Sequence, residues 1–125
     1  MLEAFKSACV FVAVLCAVVS AGAIAQSYPS KPVRLISPYP PGGGTDAVAR
    51  TIAQALSDQL GQQVVVDSRG GANGAIGTEL AAKSPADGYT LVLGNSATHA
   101  ILPNMTQKLP YDAIKDFSPI SLGAL

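Results

Sequence analysis

The stretch VRLISPYPPGGGTD, Val33 to Asp46, decides the fold: an apolar run ends in a proline- and glycine-rich loop and restarts at once with helical periodicity. The stretch QVVVDSRGGANGAIG, Gln63 to Gly77, repeats the arrangement. A strand that ends in such a loop and opens a helix aims unpaired backbone N–H groups and the positive end of a helix dipole at one point, which suits an anion. Two such loops in one short chain point to a shared ligand.

Working outward from the loops gives a regular alternation. Val33 to Ser37 reads as strand one, Thr45 to Leu60 as helix one, Gln63 to Asp67 as strand two, Ala75 to Lys83 as helix two and Thr90 to Gly94 as strand three. In helix one, Val48, Ile52, Leu56 and Leu60 recur every four residues with Ala49 and Ala55 beside them, which predicts one buried stripe. Gly61 is placed to stop that helix, and Pro85 with Asp87-Gly88 marks the turn into strand three. Phe117 to Leu125 reads as an apolar strand just beginning, so the chain is expected to stop inside an element. Strand and helix in alternation is the pattern of a parallel sheet with crossover helices, an α/β fold.

The segment before the fold reads as an export signal. Lys6 precedes a nearly unbroken apolar run from Ala8 to Val19, and Ala23-Ile24-Ala25 supplies small residues at a cleavage site, so residues 1–25 are expected to be removed after Ala25. The run is shorter than the roughly 20 residues that span a bilayer. Both cysteines, Cys9 and Cys16, fall inside it. The mature chain then has no thiol, which excludes disulfides, Cys-ligated zinc and a Cys nucleophile. From Gln26 onward seven Lys or Arg balance seven Asp or Glu, with no basic run. That argues against nucleic acid as a partner.

In parallel α/β sheets ligands collect beyond the carboxyl ends of the strands, where the loops into the helices converge. The candidate ligand-binding residues are therefore Gly42, Gly43, Gly44, Thr45 and Asp46 in the first loop, Ala72, Asn73, Gly74 and Ala75 in the second, and Asn95, Ser96 and Thr98 after strand three. Asp46 has a competing role, since an acid in the first turn stabilises a helix, and either Thr45 or Asp46 is a candidate N-cap. Arg69 is the one cation within these glycine loops. Each helix N-terminus offers an anion about 0.3–1 kcal/mol when exposed, and each hydrogen bond to a charged group about 1.5–3. A micromolar complex needs about 8 kcal/mol, within reach of two loops acting together.

Other chemistries fit less well. The first loop lacks the spacing and the lysine of a phosphate loop, and Gly71-x-x-Gly74-x-x-Gly77 overlaps only part of a dinucleotide fingerprint, so a nucleotide- or phosphate-binding domain is the weaker alternative. An exported α/β hydrolase would need a base, and His99 is the single histidine, with no Gly-x-Ser-x-Gly elbow in the chain. No catalytic residue, metal site or cofactor is called for. His99, Tyr89 and Tyr111 read as structural.

The order of motifs resembles a known family. Lys31-Pro32-Val33, Pro41-Gly42-Gly43-Gly44-Thr45-Asp46 with Arg50, Leu60-Gly61-Gln62, Gly71-Ala72-x-Gly74-x-x-Gly77, Asp87-Gly88-Tyr89-Thr90, and Leu109-Pro110-Tyr111-Asp112 with Lys115-Asp116-Phe117 follow as in the receptors of tripartite tricarboxylate transporters, the Bug or TctC type. The second loop departs: Ser68-Arg69-Gly70-Gly71-Ala72-Asn73-Gly74 stands where the family usually has Asn-Arg-Pro-Gly-Ala-Gly-Gly. The resemblance implies a periplasmic binding protein of type II-like fold, with residues 26–125 forming the N-terminal part of ligand-binding domain 1 and domain 2 absent. It further implies a non-enzymatic receptor that holds a small organic acid, whether di- or tricarboxylate, amino acid or aromatic acid. The backbone N–H groups of the two loops would hold the carboxylate, and the receptor would present it to a membrane permease.

Overall fold

A computed structural model describes residues 27–105 and 108–123; the leader assigned to residues 1–25 lies outside them. Three parallel strands form the sheet: β1 (Val33–Ser37) in the centre, β2 (Val64–Ser68) on one side and β3 (Thr90–Val92) on the other. The register pairs Leu35 with Val66 and with Leu91, so one apolar row runs across all three strands. Because side chains alternate along a strand, Val33, Leu35 and Ser37 point to one face and Arg34 and Ile36 to the other.

The first face is covered by α1 (Gly44–Leu60). Val33, Leu35, Val64, Ala49 and Ala53 make the core there, with Ile52, Leu56, Leu60, Val66, Leu91 and Leu93 packed around it. The buried stripe is rotated from the one predicted. Asp46, Ala49 and Ala53 are its centre, Ile52, Leu56 and Leu60 flank it, and Val48 and Ala55 face outward, Val48 with 41% exposure. Alanine at 49 and 53 lets the helix axis approach the sheet closely, and the larger residues then fill the wedges on either side. Gly61 ends the helix as expected, left-handed at φ 64°, its N–H donating to Ser57 O. Ser57 Oγ accepts from Val64 N–H at 2.8 Å and so joins the helix end to β2.

The opposite face carries α2 (Ala75–Ala82), one residue shorter than predicted. A Cβ added at Gly77 would lie 2.6 Å from Arg69 O and 2.8 Å from Pro38 Cα, so α2 can start this close to the sheet only because residue 77 has no side chain. Arg34 and Arg69 both pair with Asp67 beside this face. Burial raises the Asp67 pKa, but hydrogen bonds from the two arginines outweigh it, and the carboxyl is held below its usual range.

Two expectations after β3 are corrected. The segment read as a plain loop turns helical at once, through a wide turn at Ala97–Ile101 that runs into α3 (Leu102–Met105). Leu102 N–H donates to Ala97 O, five residues back, which is the geometry of a widened turn ahead of Pro103. No strand forms in 117–123. A strand needs a neighbouring edge, and among the described residues nothing pairs with this segment. Phe117 instead packs its ring edge-on to His99 and Tyr111, at centroid distances of 5.0 and 6.0 Å. Ile120 and Leu122 remain exposed. Among the described residues no helix is long and apolar enough to cross a membrane.

Candidate functional site

The three loops leave the carboxyl ends of β1, β2 and β3 side by side. Sheet-like hydrogen bonding continues past the strands, from Arg69 N–H to Ser37 O and from Leu93 N–H to Ile36 O, which keeps the three exits level. The loops then touch directly. A Cβ at Gly70 would sit 2.8 Å from Pro40 Cδ, and one at Gly74 would sit 2.7 Å from Thr98 Cγ2. Glycine is required where the second loop meets each of its neighbours.

In the first loop the N-cap of α1 is Gly43, in extended conformation and with no side-chain cap, not Thr45 or Asp46. The first helical bond runs from Ala47 N–H to Gly43 O, so the N–H groups of Gly44 and Thr45 lie ahead of it. Asp46, third in the helix, is 5% exposed. Its Oδ2 accepts from Gly42 N–H at 3.1 Å and from Arg50 Nε at 2.9 Å. Its Oδ1 accepts from Ser68 Oγ at 3.1 Å and from Arg50 Nη2 at 3.3 Å. The Arg50 guanidinium, then the Gly42 N–H, hold this carboxyl below its usual pKa. Asp46 was expected at this end of the chain's site; its tie to Ser68, 22 residues away, carries no local sequence signal.

The second loop is built from left-handed backbone. Gly71, Ala72, Asn73 and Gly74 have φ of 134°, 47°, 55° and 93°. One tight turn results, closed by Gly74 N–H to Gly71 O at 2.9 Å, and Ala75 begins α2 directly after it. Ala72 and Asn73 are exposed, Gly74 is buried, and neither this turn nor α2 has an acid in its first turn. Ala72, Asn73, Ala75 and Ile76 border a shallow groove of about 420 Å³ shared with Leu102 and Leu109. A larger concavity, about 670 Å³, lies away from the loops along α1 and the outer edge of β2. It is an open surface beside polar residues such as Gln54, Asp58 and Gln62, and none of the converging N–H groups reach it.

In the third loop the side chains are committed internally. Asn95 Oδ1 accepts from Thr98 N–H at 3.1 Å, and Asn95 Nδ2 donates to Tyr39 OH in the first loop at 2.9 Å. Thr98 is fully buried, and its Oγ1 accepts from Asn95 N–H at 3.1 Å. Tyr111 OH donates to Thr98 O at 2.7 Å and fixes this corner from below. Ser96 is exposed at the rim. His99 is half-buried with Nδ1 2.8 Å from Thr98 Oγ1, and burial pushes its pKa down, so the ring is neutral at pH 7. Beneath the loops Ser37 Oγ is the one buried side-chain polar atom without a protein partner among the described residues.

The charges decide what such a mouth can bind. Arg50 is spent on Asp46 and Arg69 on Asp67, so the loops offer an anion their N–H groups rather than a cationic side chain. The described residues hold no cluster of three metal-ligating side chains. Asp46 and Asp67, the acids nearest the loops, are both paired with guanidinium donors, and among the described residues no serine lies in hydrogen-bond contact with His99.

Comparison with known proteins agrees with this architecture. Residues 48–124 match the family described as "Tripartite tricarboxylate transporter family receptor". Protein BugT of Bordetella pertussis is 47% identical over 105 residues, covering 83% of this chain and 32% of that protein. Among solved structures, MatC from Rhodopseudomonas palustris with bound malate is 35% identical with a TM-score of 0.70, covering 74% of this chain and 31% of that one. R. palustris Rpa4515 with adipate is 41% identical with a TM-score of 0.66, covering 69% and 29%. The chain spans about a third of the length of the curated relatives it matches. On the family match and these identities, the chain belongs to the tripartite tricarboxylate transporter receptor family.

Proposed function

We propose that this chain forms one jaw of a periplasmic receptor that binds a small organic carboxylate and presents it to the permease of a tripartite tricarboxylate-type transporter. The observation that carries the reading is the convergence of three N–H-bearing loop-to-helix junctions at the carboxyl end of the sheet, with the neighbouring arginines already paired to the protein's own acids. Such a mouth favours an anion through oriented N–H groups, and Arg50 and Arg69, already paired, do not collapse onto it when it is empty.

The carboxylate sits across the N–H groups of Gly44 and Thr45 in the first loop and of Ala72 and Asn73 in the second, where those of Gly74 and Ala75 are spent on Gly71 O and Ala72 O, with Ser96 at the rim. In a protein of its relatives' length, a second domain closes over this jaw and sets which acid is held. Relatives that hold malate and adipate support a dicarboxylate, and a solved periplasmic transporter 49% identical to this chain supports a periplasmic location. Calorimetry and thermal shift of the full-length protein against malate, adipate, citrate, glutamate and benzoate test the reading. At least one acid should bind at micromolar strength; at a hundred times its Kd it should stabilise the fold by about 2.7 kcal/mol. No response to any of the five, or steady turnover of an ester substrate, would overturn it.

A further inference from the structure

We infer that Asp46 is a positioning residue: its buried carboxylate is a strut that fixes the first glycine loop against the second, and ligand affinity depends on that spacing. The inference rests on the carboxylate-receptor reading above and names the device that makes its two loops act as one.

Each Asp46 oxygen receives one donor from Arg50 and one from a loop. Oδ2 takes Gly42 N–H, inside the first loop, and Oδ1 takes Ser68 Oγ, at the residue from which the second loop departs. A helix cap requires only the contact toward Gly42. The contact to Ser68 adds nothing to the helix; it ties α1 to the end of β2. Ser68 is itself in register with Ser37, the last residue before the first loop, and Arg69 N–H donates to Ser37 O. Both loops are thus anchored to one buried anion at their base, while Pro40 and Gly70 touch above it.

The arrangement explains why the acid is buried with a guanidinium rather than left at the surface. Arg50 neutralises it, so a resident anion can stand below an anion-binding mouth without repelling the incoming one at full strength. Bidentate pairing also fixes the plane of the carboxylate, which aims its remaining lone pairs at Gly42 and Ser68. A ligand shared by two cups binds well only when their separation is held to about 0.5 Å.

The test uses Ser68→Ala, which cuts the strut and leaves both the helix and the Asp46–Arg50 pair in place, alongside Asp46→Asn. Malate and adipate serve as probes of the full-length protein. Ser68→Ala should weaken binding by about tenfold, the size of one hydrogen bond to a charged group, with a melting temperature close to wild type. The double variant should bind no more weakly than Asp46→Asn alone, because both changes cut the same connection. Wild-type affinity in Ser68→Ala, or losses that simply add, would overturn the inference. Amide exchange without ligand supplies a separate arm: Ser68→Ala should speed exchange at Gly42 and at Arg69, whose N–H donates to Ser37 O beside the strut, by several-fold, and unchanged exchange at both sites defeats the strut. Failure of wild type to bind either probe, with exchange responding as expected, counts against the receptor reading and leaves the strut standing.

Discussion

In the first glycine loop a Cβ added at Gly42, Gly43 or Gly44 would meet nothing nearer than Pro40 O at 4.0 Å, and the loop is held by the Asp46 side chain. In the second, beyond its anchor at Ser68, a Cβ at Gly70, Gly71 or Gly74 would meet Pro40, Ile76 or Thr98 within 2.5–2.8 Å, and among the described residues no ionised side chain bonds to residues 70–74. Similar composition therefore hides two solutions. One loop is open backbone fastened by an ionised group; the other is fastened by close packing that only glycine permits. Glycine in the first leaves the backbone open, and in the second it permits contact with neighbouring residues.

The sharpest break of that contrast is a matched pair of substitutions. Gly42 and Gly74 have nearly the same φ, 89° and 93°, so alanine meets a similar backbone penalty at both, about 1–2 kcal/mol. At Gly74 the new Cβ also enters Thr98 Cγ2, 2.7 Å away, which adds overpacking of about 1–3 kcal/mol. Urea unfolding should show Gly74→Ala as the most damaging single change in the loops, about 3 kcal/mol, with Gly42→Ala near 1. Equal losses at the two positions would mean that packing against Thr98 does not distinguish the loops.

A gain tests the same contrast from the other side. Ala72 is held at φ 47° with its side chain exposed, a conformation that glycine adopts at little cost. Ala72→Gly relieves that strain but raises the entropy of the unfolded chain, so the net is a stabilisation below about 1 kcal/mol. A loss of stability on the same urea curves would show that the Ala72 methyl makes packing contacts worth more than the strain it carries.

Much of this was legible in the sequence, and the exceptions have a common cause. The strand starts, the Gly61 stop and the Asp87-Gly88 turn follow from local rules and fall within a residue of their predicted places, while strand three, read to Gly94, ends at Val92. The phase of α1 did not, because hydrophobicity weights Val48 above Ala53 while close approach to the sheet favours the smaller residue. The helical turn after Asn95 was missed although Asn95 and Ser96 stand where an N-cap belongs, a signal weakened by Pro103 a few residues on. The pairs Asp46–Ser68 and Arg34–Asp67 join residues 22 and 33 apart, and no periodicity marks such contacts. The loops themselves were readable as glycine-rich strand-to-helix turns; which of them is held by charge was not.

That last difference predicts opposite responses to acid, the smallest effect of the set and the most specific. Asp46 has a folded pKa below its ordinary 3.8, so its contribution to the fold is complete above pH 3.8 and is lost as pH falls through the lower, folded value. Protonation removes the charge that holds Gly42 N–H and Arg50, whereas the packing of Gly74 against Thr98 involves no group that titrates there. Asp67 and Asp112 are also held low and weaken the whole fold in the same window, so global unfolding cannot separate the loops. Local exchange can. Between pH 4 and the onset of unfolding, after correction for intrinsic rates, protection at Gly42 should fall relative to Gly74, and Asp46→Asn should abolish that relative change. Parallel loss at both amides in the wild-type protein would show that the second loop, too, depends on an ionised group, and the distinction between the loops would fail.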